Sequence, residues 1–329
     1  MQVLVTGADG LLGSHLVRVL LERGDSVRVL VHPDSASPTL EGLPLDRRAA
    51  DLLSADDFLF EAVRGCRVVF HCAAVTDLRA SRELVWKVNF DGTRRLLDAC
   101  VRARVPRVVH TGSASSFGFG SLGNPGNEGH PFPPAYRGLA YMESKRRAAD
   151  LLQSYVKSGA LEVVTVAPTF LLGAYDWRPS SGELIRQFVR RGFPFVSPGG
   201  RNFVYAGDAA RLLAAAAERG RNGEDYIAGG HNLSYLDFFA RVARIHGGVR
   251  PPRWVLPPSL ILAAGWWGSV LSRISGKPAV LDTTLARLSL YGTYYSAEKA
   301  VRELGLGRTP IDAAISESIL SLREYGHLP

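Results

Sequence analysis

The opening of the chain constrains its fold more than any other stretch. Val3, Leu4 and Val5 form a short β-branched-rich run that suits a strand buried on both faces, and Thr6-Gly7-Ala8-Asp9-Gly10-Leu11-Leu12-Gly13 follows at once. Gly7 permits a tight turn, Gly10 lets backbone N–H groups approach a ligand, and Gly13 lets the next helix lie close on the strand. Leu12, Leu16, Val19 and Leu20 recur at helical spacing, with Ser14, Arg18 and Glu22 opposite. A helix N-terminus aimed at a glycine-rich loop attracts anions, a pyrophosphate foremost. The placement between strand and helix, rather than the glycine spacing alone, carries this reading.

The rest of the N-terminal half repeats the alternation of strand and helix. Val27 to Val31, a third strand ending at Asp51-Leu52, Val68 to Ala74, Arg107 to His110 and Leu161 to Val166 read as strands. Ser54-Ala55-Asp56-Asp57 reads as a helix N-cap with an acidic first turn. Such a pattern predicts an α/β fold with a doubly wound parallel sheet. Residues 1–170 are expected to form the dinucleotide-binding domain, with 203–228 returning to it, and 171–329 mostly a smaller, interleaved substrate domain. Ala73 and Ala74 at a strand's carboxyl end leave room for a flat ligand. Glycine and proline crowd from Gly118 to Pro134, a loop long enough for an active-site rim.

With 329 residues, 46% hydrophobic and 21% charged, the chain has the composition of a folded globular protein. Lysine and arginine exceed aspartate and glutamate by 39 to 31, but the basic residues are scattered singly and in pairs. No basic run is interleaved with aromatics, so nucleic acid is not the expected partner. Cys66, Cys72 and Cys100 suggest neither a disulfide framework nor a metal site, and His71, His110 and His130 share no ligand spacing with acids or thiols. Entry straight into a strand argues against a signal peptide, so a cytoplasmic setting is expected. Trp254 to Ser272 contains no charge and lies between Arg253 and Arg273. Pro257-Pro258, Ser259 and Gly265 interrupt it, so a buried or surface-greasy helix is expected rather than a spanning one, with peripheral membrane contact left open.

Tyr141 and Lys145 are four residues apart, on one face of a helix. A neighbouring ammonium lowers a phenol that normally titrates near 10, which makes the pair a proton donor and acceptor. Ser113, just past the fifth strand at the carboxyl edge of the sheet, is placed to hold a substrate oxygen.

Together these residues resemble the extended short-chain dehydrogenase/reductases, also called the NAD-dependent epimerase/dehydratase family. The matching features are T-G-x-x-G-x-x-G at Thr6 to Gly13, Asp51-Leu52, Asn89 with Gly92-Thr93, Ser113, and Y-x-x-x-K at Tyr141 and Lys145. Ala167-Pro168-Thr169-Phe170-Leu171-Leu172-Gly173, Tyr175-Asp176 and Gly200 to Tyr205 with Asp208 are similar to dihydroflavonol-reductase-like enzymes and hopanoid-associated sugar epimerases. The resemblance implies a Rossmann fold in which Gly7, Gly10 and Gly13 cradle the pyrophosphate, with Asp9, Leu11 and Leu12 also binding the cofactor. It implies adenine at Asp51 and Leu52, Ala73 along the cofactor, and Pro168 and Phe170 near the nicotinamide. Lys145 would hold the ribose and tune Tyr141, Ser113 would bond the substrate oxygen, and Ser115 and Arg201 would touch substrate. Homodimers through the helices holding Asn89 and Tyr141 are implied as well. Gly112 stands where the family often has a hydroxyl, and Ala206-Gly207-Asp208 replaces the usual V-D-D.

NAD-specific folds place an acid at the end of the second strand, and here Val31 and His32 stand there. His32 could sit by a 2′-phosphate, with Arg47 or Arg48 as distant helpers, so NADP is expected ahead of NAD. The expected activity is NADP(H)-dependent reduction of a ketone, or oxidation of a secondary alcohol, on a bulky small molecule. The alternatives are a nucleotide-sugar epimerase or dehydratase holding NAD tightly, and a non-catalytic dinucleotide sensor.

Overall fold

The structure is a computed structural model that describes residues 1–276, 279 and 281–329. Seven strands form the main sheet: β1 (Gln2–Thr6), β2 (Ser26–Val31), β3 (Asp46–Ala49), β4 (Val68–His71), β5 (Arg107–Thr111), β6 (Glu162–Pro168) and, after three outside it, β10 (Asp225–Ala228). Their order is β3-β2-β1-β4-β5-β6-β10, and every pairing is parallel. The chain departs in opposite directions on either side of β1, so the cleft between β1 and β4 is the switch point at which such sheets bind ligands.

Valines drive this assembly. Val3, Val5, Val29, Val109, Val164 and Val166 are fully buried on one face against helices α1 (Leu11–Glu22), α7 (Ala206–Arg219) and α11 (Glu298–Leu304). On the other face Leu4, Val69, Val108 and Val163 pack against α2 (Asp56–Val63), α4 (Thr93–Arg102) and α5 (Ala140–Lys157). Two-sided burial explains why these strands lack the alternation of a half-exposed sheet. A short helix α3 (Arg82–Trp86) and a π-helical turn at Lys87–Gly92 lead into α4.

Ser54 does not cap α2. Its hydroxyl accepts the Asp51 N–H at 3.0 Å, and the residue before the helix is Ala55, whose side chain has no capping oxygen.

Past β6 the chain builds a second body. Strands β7 (Phe170–Leu172), β9 (Gly200–Tyr205), β11 (His231–Ser234) and β13 (Gly292–Thr293) form a small sheet around β9, and β8 (Phe195–Val196) pairs with β12 (Trp254–Val255). Against it lie α6 (Gly182–Arg191), α8 (Tyr235–His246) and α12 (Ile311–Glu324), around a core in which the Phe203 and Phe238 rings stack with centroids 4.1 Å apart. Helices α9 (Pro258–Ser275) and α10 (Thr283–Ser289) form a hairpin at its edge.

Asp208, in the stretch that departs from the usual V-D-D, acts as a latch. Buried at the start of α7, it accepts the Thr309 N–H at 2.7 Å and the Thr309 hydroxyl at 2.9 Å.

Three histidines are buried in the neutral form. Burial pulls His15 down to about 4 and His71 to about 3, and drives His110 well below its ordinary value. Below pH 6.5 the unfolded chain therefore binds protons that the folded chain refuses, so stability is full above that pH and is lost as pH falls towards the folded values. Each histidine is expected to contribute a slope of up to about 1.4 kcal/mol per pH unit. Urea midpoints measured at several pH values between 7.5 and 5 check this, and a flat profile would refute it.

Candidate active site

The glycine loop owes its shape to contacts that only glycine allows. Gly7 has φ +64°, and a Cβ there would sit 2.7 Å from the Ala73 Cα. A Cβ on Gly13 would lie 2.0 Å from the Gly7 carbonyl oxygen. Gly10 differs: its Cβ would meet only the Gly7 oxygen at 3.5 Å, and the residue is exposed. Gly10 also precedes α1 with no side-chain cap, so the first-turn N–H groups at Leu11 and Leu12 face the open side of the loop. Two glycines thus close the turn against β4, and the third leaves space over a helix N-terminus. That is the geometry a pyrophosphate needs.

The corner expected to receive adenosine is formed by the loops after β2 and β3. The His32 ring lies 3.6 Å from the Asp51 carboxylate and 3.7 Å from Asp34. Leu52 is buried beneath Gly92, in the second core. Arg47 and Arg48 do not assist there, because Arg47 donates to the Leu40 carbonyl and Arg48 pairs with Asp46 at 2.9 Å. Asp9 accepts hydrogen bonds from the Ser35 and Ser37 hydroxyls.

A strap from the second body crosses this corner. The Trp177 indole N–H donates to the Asp9 carbonyl at 2.8 Å, and Arg178 stacks on Trp177 while donating to the Ser35 hydroxyl at 3.2 Å. Tyr175, with φ +69°, lies under Arg18 and edge-on to His15. Sequence reasoning missed Trp177 and Arg178 as neighbours of the loop, since 168 residues separate Trp177 from Asp9.

The three candidate catalytic residues come together near the carboxyl ends of β5 and β6. Ser113 and Ser115 are linked through their hydroxyl oxygens, 2.8 Å apart, and Ser113 lies close enough to the Tyr141 phenol to act on its titration. Lys145, one helical turn along α5, is buried and donates to the Thr111 carbonyl at 2.9 Å. Burial lowers its ammonium to about 8. An ammonium has three donors, so two remain for a ribose diol.

The expected lowering of Tyr141 is not found in the protein itself. Burial pushes its phenol up and the Ser113 hydroxyl beside it offsets this only in part, because Lys145 is turned towards Thr111. A phenol so held keeps its proton at neutral pH, as a donor to a carbonyl oxygen must.

Asn89 serves to brace the site. Its amide bonds both the N–H and the C=O of Val75, at 2.8 and 3.0 Å, and reaches the Ser144 hydroxyl on α5 at 3.2 Å. Gly112 is also explained, since a Cβ there would come within 2.8 Å of Thr165. His71 is satisfied by Thr6 and Thr93, at 2.8 and 2.9 Å, and both are structural contacts.

The far wall is apolar. Tyr136, Met142 and Leu288 of α10 form a cluster that Phe119, Phe132, Leu139 and Tyr141 join. Pro168 ends β6, and the Phe170 ring packs edge-on to Phe203. Arg201 of β9 lies over Phe170 at 4.9 Å and donates to the Tyr235 hydroxyl at 2.9 Å. It comes near enough to Tyr136 for its charge to act on that phenol. The sequence gives no sign of the tyrosines that surround this guanidinium.

Comparison with known proteins agrees with this layout. The profile of the "NAD dependent epimerase/dehydratase family" matches residues 3–229. Sterol demethylase protein B of Methylococcus capsulatus is 31% identical over 99% of both chains. A farnesyl-dihydroquinoline-oxide ketoreductase of Stigmatella aurantiaca is 29% identical over 93% of this chain and 91% of its own. The crystal structure of PA4631, a nucleoside-diphosphate-sugar epimerase from Pseudomonas aeruginosa, superposes with a TM-score of 0.81 at 28% identity, covering 100% of this chain and 99% of that one. A glycine loop at the switch point, serine hydroxyls and a tyrosine near a buried lysine, and these likenesses converge: the chain belongs to the NAD-dependent epimerase/dehydratase family of extended short-chain dehydrogenase/reductases and is an NAD(P)-dependent oxidoreductase.

Proposed function

We propose that the enzyme reduces a ketone, or oxidises the matching secondary alcohol, on a bulky and largely apolar small molecule. The observation that carries this is the wall beside Tyr141, where Phe119, Phe132, Tyr136, Met142 and Leu288 offer rings and thioether rather than the polar groups a nucleotide would need. Bound pyridine nucleotide supplies or accepts the hydride. Tyr141 gives its proton to the substrate oxygen, Ser113 orients that oxygen, and Ser115 holds the Ser113 hydroxyl in place or contacts substrate itself. Lys145 fixes the ribose. The names of the two relatives, a ketoreductase and a sterol demethylase protein, support a substrate of this kind.

For the dinucleotide, the adenosine corner favours NAD(H) over the NADP(H) that the missing acid suggests. Asp9, Asp34 and Asp51 surround it, with the exposed His32 ring and the Arg178 guanidinium beside them. A 2′-phosphate at Ser35 would meet the Asp9 carboxylate, so Asp9 takes the selecting role usually given to an acid after β2. Asp9→Asn is expected to raise kcat/KM for NADP(H) relative to NAD(H) by about tenfold. Steady-state kinetics with both cofactors measure the ratio, and an unchanged ratio removes Asp9 from this role.

A second reading, epimerisation of a nucleotide sugar, is supported by Arg201, whose guanidinium beside Phe170 and Tyr235 could take a substrate diphosphate. The two readings differ in cofactor turnover. Net oxidation of NADH or NADPH against a panel of apolar ketones supports the first. Tightly held NAD in the isolated protein, with sugar interconversion and no net turnover, replaces it with the second. The outer faces of α4 and α5, where Val101 is exposed, are the surface proposed for a homodimer, and light scattering tests it.

A further inference from the structure

Helix α9 is built the wrong way round for a surface helix in water. Such a helix ordinarily turns its bulky apolar side chains to the core. In α9 only Ile261 and Gly265 are buried. Small residues face its neighbour: a Cβ on Gly265 would lie 2.4 Å from the Ala286 side chain of α10, and one on Gly268 would lie 2.0 Å from the Leu281 carbonyl oxygen. The close approach that these glycines allow leaves the large residues outside. Leu260, Trp267, Leu271 and Ile274, at positions i, i+7, i+11 and i+14, form one stripe, 53%, 58%, 60% and 77% exposed. Trp266 flanks the stripe, and Trp254 of β12, just before the helix, is exposed as well.

The charge along this stretch is mostly positive, although Asp282, which caps α10, lies beside Gly265. From Phe238 to Leu281 the chain contains no aspartate or glutamate, yet it carries Arg241, Arg244, Arg250, Arg253, Arg273 and Lys277. Arg241 and Arg244 are paired with Asp312. Arg250, Arg253 and Arg273 are exposed and make no side-chain ion pair or hydrogen bond with any described residue. No helix among the described residues is long and apolar enough to cross a membrane.

We propose that the α9 face, through the Leu260–Ile274 stripe with its flanking arginines, docks in the plane of an anionic lipid surface. An apolar stripe bordered by cations, with tryptophans at the boundary, is how a helix lies at a headgroup–acyl interface without spanning it. Anionic headgroups supply the charge that Arg250, Arg253 and Arg273 lack a partner for. A second copy of the chain fits less well, because stacking two such faces brings the unpaired arginines of both copies together. The face also lies next to the catalytic wall, since Leu288 of α10 packs with Tyr136 and Met142 beside Tyr141. Docking would therefore bring the mouth of the site towards the lipid, which suits an apolar substrate; that consequence rests on the proposed function, whereas the docking does not.

The test is flotation of the full chain with vesicles of phosphatidylcholine alone and of phosphatidylcholine with phosphatidylglycerol, with tryptophan emission recorded in parallel. The chain is expected to float with the anionic vesicles, with a blue-shifted emission, and to float much less with the neutral ones. Trp267→Ser/Leu271→Ser/Ile274→Ser is expected to cut the bound fraction at least about tenfold while leaving turnover of a water-soluble ketone unchanged. Failure to float with either vesicle, or equal flotation of the triple variant, overturns the proposal. So does a concentration-dependent dimer in light scattering that the triple variant abolishes, since the stripe would then be a self-contact. Vesicle binding is read without any substrate, so an absence of ketone turnover would refute the proposed function and leave this result standing.

Discussion

Replacing Tyr141 with phenylalanine is expected to lower kcat by about a thousandfold, within the range that loss of a positioned general acid gives. The phenol is half-buried beside Ser113 and burial shifts it upwards, so it keeps a proton close to the point where a substrate oxygen would lie. The ring packs with Met142, Leu139 and Tyr136, and phenylalanine preserves that packing. Thermal stability and dinucleotide Kd are therefore expected to stay near those of the parent. Ser113→Ala is expected to cost less, about tenfold to a hundredfold, because Ser115 stands 2.8 Å from the vacated position and can take over part of the hydrogen bond. A Tyr141→Phe enzyme that retains a tenth of the parent rate would remove Tyr141 from the chemistry. The same variant does not separate reductase from epimerase, since both readings use the phenol; only net cofactor turnover does.

Much of this arrangement is legible in the chain because the decisive contacts are local or tied to a strand end. Gly7, Gly10 and Gly13 act within one turn. Tyr141 and Lys145 share a helix face, and Ser113 follows a valine-rich strand whose carboxyl end is set by sheet topology. What escaped the sequence depends on long-range packing or on the direction a side chain takes. Trp177 reaches Asp9 across 168 residues, and Asp208 reaches Thr309 across 101. The spacing of Tyr141 and Lys145 implies an ammonium acting on a phenol, yet the Lys145 side chain runs to Thr111, and burial decides the direction of the Tyr141 shift. The absent acid after β2 is the sequence's argument for NADP, whereas the contact of Asp9 with Ser35, on which our proposal of NAD(H) rests, is not readable from the chain. Trp254 to Ser272 was legible as apolar, but which face the glycines would turn inward was not.

Gly13→Ala is expected to abolish useful dinucleotide binding, raising Kd by at least about a hundredfold, and to lower Tm by roughly 5 °C. Alanine is the better helix former by about 1 kcal/mol, so propensity alone predicts a more stable protein. Sterics win here because the atoms in the way, the Gly7 carbonyl oxygen at 2.0 Å and the Ala8 Cα at 2.7 Å, are backbone atoms with no rotamer to escape into. Relief requires the turn to move by about 1 Å, and Gly7 is itself held against Ala73 and locked at φ +64°. Gly10→Ala is the informative counterpart. Its Cβ meets only the Gly7 oxygen at 3.5 Å, at an ordinary φ of −78°, so Tm should not change. If the space over Gly10 belongs to a pyrophosphate, however, the added methyl should still weaken dinucleotide binding by about tenfold. Calorimetric titration with NAD(H) and NADP(H), run beside a thermal melt, separates the two effects. A loop of purely structural importance would show the Gly13 loss and no Gly10 loss. A loop that cradles the cofactor shows both, with stability affected in Gly13→Ala alone.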